Sequence, residues 1–232
     1  MDAADAYLTR IPAIAALDTL RLDSPVTFLV GENGAGKSTL LEAVAVAYGF
    51  NPEGGTRNFN FSSNNTHSGL FRYITLVKEP IRARDGFFLR AESFYNAASY
   101  IDQLDREGWP PLVNSYGGKS LHAQSHGESF LALVMNRFGG HGFYVLDEPE
   151  AALSPTRQLS LLCRIHDLVE SGSQFLIATH SPILMAYPDA DLYLLGENGI
   201  SKTGYKETEH YQVTRCFLEN PQRMLQTLFA EE

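Results

Sequence analysis

Residues 31–38 read Gly-Glu-Asn-Gly-Ala-Gly-Lys-Ser, which fits the pattern G-x-x-x-x-G-K-[ST] at every fixed position. Glycines in these places let backbone N–H groups turn inward on an anion, and a helix that follows adds the positive end of its dipole. Gly31, Glu32, Asn33, Gly34, Ala35, Gly36, Lys37, Ser38 and Thr39 are therefore the candidate cradle for nucleotide phosphates. Lys37 would bridge the phosphates as a point charge, and Ser38 would offer its hydroxyl to Mg²⁺. In "FYVLDEPE", an apolar run leads to Asp147, a second candidate Mg²⁺ ligand, with Glu148 beside it as a candidate general base for an attacking water. "IATHSP" ends another apolar run with His180, within plausible reach of a γ-phosphate. A second "GGKS", at 117–120, fails the pattern because Val113 stands where a glycine is required and no strand precedes it.

These groups need rigid elements to bring them together. "VTFLV" (26–30) reads as a buried parallel strand directly before the loop, and "LLEAVAVAYGF" as the helix after it. Further strands are expected at 71–77, 86–93, 143–147, 174–179 and 191–195, and a short one at "NFNF". Helices are expected at "FYNAASYIDQLDREG", from about Glu128 to Phe138, over roughly 155–171, and around 208–218 and 221–229. Apolar strands alternating with amphipathic helices predict an α/β fold with a mainly parallel sheet, whose ligands bind at the carboxyl edge. Asp147 and His180 are expected there on adjacent strands.

The chain has 232 residues, 44% hydrophobic and 19% charged, and its net charge is −9. That charge argues against binding nucleic acid through bulk electrostatics. The densest basic cluster, Arg72, Lys78, Arg82, Arg84 and Arg90, reads as a solvated edge. Cys163 and Cys216 lack metal-ligand spacing, and Cys163 falls in the expected apolar stripe of its helix, so it reads as packing. No run approaches the roughly 18 apolar residues a membrane span requires, and no secretory signal is visible, so the expectation is a cytoplasmic protein.

Taken in order, the phosphate loop, "SHGES" (125–129), "LDEPEAALS" and "THSP" resemble an ATP-binding-cassette (ABC-type) P-loop ATPase over Gly31 to Pro182. The resemblance implies one ABC-ATPase-like domain over 1–232, a sheet flanked by helices, with a small helical lobe at approximately 93–140 that carries the signature motif. It implies ATP as substrate, Mg²⁺, and an ATP-driven head-to-tail homodimer. In that dimer Ser125, Gly127 and Glu128 would cap a helix pointing at the γ-phosphate held by the other protomer's Lys37, Ser38, Asp147, Glu148 and His180. "AALS" (151–154) resembles the loop that contacts the same loop across the dimer.

The sequence also departs from the pattern. His126 replaces a glycine and Glu128 the usual glutamine, which places a negative charge near a triphosphate unless it is turned away or caps the helix. Glu92 is the nearest positional candidate for the glutamine, and a possible further Mg²⁺ ligand, ahead of Gln103. Tyr7 is the only upstream aromatic candidate to stack on adenine. These departures resemble the soluble Rad50, RecF and SMC-like heads more than transporter subunits, here without coiled-coil arms between Ser38 and Ser125. Function then divides between a hydrolysing ATPase coupled to an effector protein or DNA, an ATP-sensing interaction module, and a transporter's ATPase subunit. Residues 51–69 and the C-terminal segment lie outside the shared motifs and are the expected places for partner specificity.

Overall fold

The structure, a computed structural model, describes residues 3–56, 68–80, 82–90 and 125–230. Glu92, Gln103, the "NFNF" strand, the helix expected at 94–108 and the "GGKS" repeat lie outside the described residues.

Six strands form one sheet: β1 (Val26–Val30), β2 (Asp85–Arg90), β3 (Gly142–Asp147), β4 (Gln174–Ala178), β5 (Asp191–Gly196) and β6 (Gly199–Thr203). Their order is β2-β3-β4-β1-β5-β6, parallel except for the β5–β6 pair. Successive side chains on a strand point to opposite faces, and the central strands bury both. Phe28 and Val30, Tyr144 and Leu146, and Phe175 and Ile177 enter one apolar cluster; Leu29, Val145, Leu176 and Ala178 enter the other. This explains why these strands read as continuous apolar runs rather than alternating ones.

The second cluster is completed by a 3₁₀ segment at Ala3–Arg10, by α1 (Pro12–Ala15) and by α2 (Lys37–Tyr48). α3 (His126–Arg137) and α4 (Pro155–Glu170) complete the first. α5 (Glu209–Glu219) and α6 (Pro221–Leu228) follow β6, and their apolar Leu218, Leu228 and Phe229 are exposed. The end of α3 is tied to the sheet through Asp85. That carboxylate accepts hydrogen bonds from Arg137 (3.0 Å), the Gly139 N–H (3.0 Å) and the Tyr144 hydroxyl (2.8 Å).

Several expectations are corrected. Residues 71–77 form no strand: Gly69–Arg72 is a 3₁₀ turn capped by Ser68, and residues 73–77 join no ladder among the described residues. The alternation was real, since Ile74 and Leu76 pack on the core while Val77 is exposed, but the outer edge of β2 is bridged instead by Gly55. β6 was not expected, although Glu197-Asn198 between Gly196 and Gly199 is a two-residue hairpin signal. Cys163 is exposed, because the buried stripe of α4 is Leu161, Ile165 and Leu168. Arg90 does not belong to a solvated edge. It turns inward onto two carboxylates, whereas Arg72, Lys78, Arg82 and Arg84 are exposed.

Candidate functional site

The loop after β1 is held open by backbone shape. Gly31, Gly34 and Gly36 have positive φ (142°, 82° and 96°), a region that glycine enters without steric cost. A Cβ at Gly31 would stand 2.3 Å from the Leu195 carbonyl oxygen, and one at Gly36 would stand 2.7 Å from Ile11. The loop is therefore clamped between β5 and the segment leading into α1. α2 begins at Lys37, so its unpaired N–H groups face the loop. Lys37 Nζ folds back onto the carbonyl oxygens of Gly31 (2.8 Å) and Glu32 (2.9 Å). Burial lowers the pKa of Lys37, opposed by the charges of Glu148, Asp147 and Glu150.

Asp147 ends β3. Its strand is not next to β1, since β4 lies between them, yet Ser38 Oγ reaches Asp147 Oδ1 at 3.0 Å. A hydroxyl and a carboxylate side by side are hard oxygen donors of the kind Mg²⁺ takes alongside phosphate and water. Among the described residues no group of three or more His, Cys, Asp or Glu side chains could hold a metal by itself. The pair therefore fits a cation that arrives with phosphates.

Glu148 adopts φ 49°, ψ 53°, a left-handed conformation that costs a non-glycine residue about 1–2 kcal/mol. Its N–H is anchored on the Ala178 carbonyl at 2.9 Å, which turns the chain sharply at the sheet edge. Glu148 Oε1 then lies 3.5 Å from His180 Nε2. β3 and β4 are neighbours in register, as expected, so Asp147 and His180 leave the sheet side by side. The His180 backbone N–H donates to Glu150 Oε1 at 2.5 Å. Glu150 is a largely buried carboxylate, and burial raises its pKa. Burial lowers the pKa of His180, and the charge of Lys37 adds to the shift.

Ser125 caps α3. Its N–H and hydroxyl both donate to Glu128 Oε2, at 3.0 and 2.7 Å, and Arg157 donates to Glu128 Oε1 at 3.1 Å. These Ser125 hydrogen bonds hold the Glu128 carboxyl below the ordinary range. The negative charge introduced by Glu128 is thus occupied as a helix cap and an ion pair. Gly127 packs so closely on the 149–157 segment that a Cβ would stand 2.4 Å from the Ala152 carbonyl oxygen. Ser154, at the end of "AALS", caps α4. Tyr7 is 43% exposed.

The family model described as "AAA domain" matches residues 15–92. Among solved structures, cbiO1 of Clostridium perfringens, part of an ABC transporter complex, covers 88% of this chain and 87% of its own at 18% identity and TM-score 0.43. The ribose import ATP-binding protein RbsA of Roseobacter denitrificans is 49% identical over 200 residues, covering 76% of this chain. The cytochrome c biogenesis ATP-binding export protein CcmA of Aliivibrio fischeri is 27% identical over 183 residues, covering 75% of it. The chain belongs to the ABC-type P-loop ATPases. It spans 38% of the length of the first of these two relatives and 88% of the second.

Three residues of this ABC-type domain stand at the site although the sequence reading gave them no role there. Arg90, beside Asp147 in the β2–β3 register, pairs with Glu42 Oε2 (2.6 Å) and lies 3.5 Å from Asp147 Oδ2. Glu150 fastens the His180 backbone, and His210 of α5 meets the His180 ring. Arg90 could have been suspected as a lone cation at the end of an apolar strand. His210 had no sequence signal, because only the fold returns α5 to the phosphate loop.

Proposed function

We propose that this domain hydrolyses ATP, working as a head-to-tail homodimer that closes over two nucleotides and reopens after hydrolysis. The observation that carries the reading is the convergence of Lys37, the Ser38–Asp147 pair and the Glu148–His180 pair at one carboxyl edge. The Lys37 ammonium donates to loop carbonyls, and nucleotide binding would exchange these for phosphate oxygens. Ser38 and Asp147 would hold Mg²⁺, which supplies charge neutralisation across the phosphates. Glu148 would accept the proton of the attacking water, and its neighbour His180 would orient the water and the γ-phosphate. From the partner protomer, Ser125 and Gly127 at the head of α3 would bring backbone N–H groups to the γ-phosphate, with Glu128 already engaged as a cap.

The comparison to make is wild type against Glu148→Gln in Mg-ATP, following phosphate release and solution mass together. Losing the base lowers turnover by roughly 10²–10⁴-fold. Wild type turns over, and the variant binds ATP and accumulates as a dimer. If both dimerise with ATP and neither hydrolyses it, the domain is an ATP sensor. A variant that stays monomeric with ATP bound would remove Ser125, Gly127 and Glu128 from the mechanism.

In this reading the cycle runs in the cytoplasm and acts on an effector protein. The departures at Glu128 and upstream of the loop support the soluble branch, and the −9 net charge opposes broad DNA binding. A second reading, the ATP-binding subunit of a transporter, is favoured by relatives whose names describe import and export proteins. Among the described residues no helix is long and apolar enough to cross a membrane, so in that reading the membrane-spanning part lies outside them. Recovery of the chain in a detergent-solubilised membrane complex would decide for it.

A further inference from the structure

α5 is mostly exposed, but its first turn is not idle. Thr208, 2% exposed, caps the helix by accepting the Tyr211 N–H at 3.3 Å. That cap aims Glu209, His210, Val213 and Thr214 at a cleft of about 450 Å³ shared with Glu32, Asn33 and His180. Within it, His210 Nε2 lies 2.9 Å from His180 Nδ1, with the ring centres 5.0 Å apart. At that distance one imidazole nitrogen must carry a hydrogen and the other a lone pair.

The opposite side of His180 shows which. His180 Nε2 is buried without a hydrogen-bond partner among the described residues and faces Glu148 Oε1 at 3.5 Å. A carboxylate oxygen is an acceptor, so the arrangement that faces Glu148 Oε1 puts the hydrogen on His180 Nε2. In a neutral ring Nδ1 is then bare, and the donor in the His–His bond is His210. Burial lowers the pKa of both rings, which favours the neutral pair.

We infer that His210 is a positioning residue, donating Nε2–H to His180 Nδ1 and so holding His180 in the tautomer whose Nε2–H points toward Glu148 and the cleft. The inference rests on the ATPase reading for its consequence, because that face is where the γ-phosphate would lie. It does not rest on that reading for its geometry. α5 thereby becomes part of the reaction site, since an imidazole turned to the other tautomer would present a lone pair to both Glu148 and phosphate.

The test uses the full chain in three forms: wild type, His210→Ala and His210→Gln. A glutamine amide nitrogen can take the place of the imidazole Nε2–H donor. Nitrogen-15 spectra of the His180 ring, without nucleotide, should show the Nε2–H tautomer in wild type, a mixture in His210→Ala, and recovery in His210→Gln. Turnover should fall about 10–100-fold in His210→Ala, the range seen when an imidazole loses its orienting partner, with KM for ATP within about two-fold of wild type and His210→Gln recovering most of kcat. An Nδ1–H tautomer in wild type, or an unchanged tautomer in His210→Ala, would overturn the inference whatever the turnover. If no form hydrolyses ATP, the proposed function falls, while the spectra still decide for or against His210.

Discussion

Replacing Arg90 by methionine removes the cation that stands between two buried carboxylates. Glu42 Oε2 accepts from it at 2.6 Å and Asp147 Oδ2 lies 3.5 Å from it, with the two carboxylate side chains only 9% and 8% exposed. Glu42 would keep one other partner, the Ser68 N–H at 2.8 Å. Breaking a buried ion pair by removing one partner costs roughly 3–5 kcal/mol, because the remaining charge stays desolvated. Arg90 is 20% exposed and its second arm is long, so water can offset part of this loss and we expect about 2–4 kcal/mol. For a chain of this size that lowers Tm by about 4–16 °C. Urea unfolding of Arg90→Met, Glu42→Leu and the double variant measures it. The double variant should be more stable than the sum of the single losses by over about 1 kcal/mol, because removing Glu42 relieves the charge that Arg90→Met strands. A loss below about 0.5 kcal/mol, or strict additivity, would refute the claim that Arg90 neutralises this corner of the site.

Two further substitutions have signs fixed by titration. Glu150 has its folded pKa raised by burial above the ordinary 4.5, so its ionisation opposes folding: stability is full below about 4.5 and is lost as pH rises through the folded value. Glu150→Gln, which still accepts the His180 N–H, should match wild type in Tm at pH 4 and exceed it at pH 7; an unchanged gap between the two pH values would disprove this. Asp85 behaves oppositely. Burial would raise its pKa, but the Tyr144 hydroxyl, Arg137 and the Gly139 N–H together hold it below 3.8. Its contribution is present above 3.8 and disappears as pH falls through the folded value. Asp85→Asn should cost about 1–3 kcal/mol at pH 7, and the cost should shrink in acid denaturation curves below that point.

Sequence by itself determined the parts of this protein that obey local rules. Strands buried on both faces must be continuous apolar runs, so β1, β3 and β4 were visible from such runs alone. The phosphate loop was visible because its glycines are required by backbone geometry, and Gly31 and Gly36 indeed leave no room for a Cβ. Asp147 and His180 followed from standing at the ends of such runs. The stretch 71–77 shows the limit: alternation specifies which side chains face the core, but a strand also needs a partner for its N–H and C=O groups.

Only the tertiary structure decided which distant groups share the site. Ser38 and Asp147 meet although β4 lies between β1 and β3, because Ser38 stands not on β1 but in the first turn of α2, which reaches the end of β3. Glu128 carries an ordinary capping signal, but Arg157, 29 positions away, decides that its second oxygen is also paired. Arg90 looked like one more surface cation until the parallel register set it opposite Asp147. His210 depends on the fold most of all. Hydrogen bonds and charges act over a few ångströms of space, and no spacing along the chain records that α5 returns to within 2.9 Å of His180.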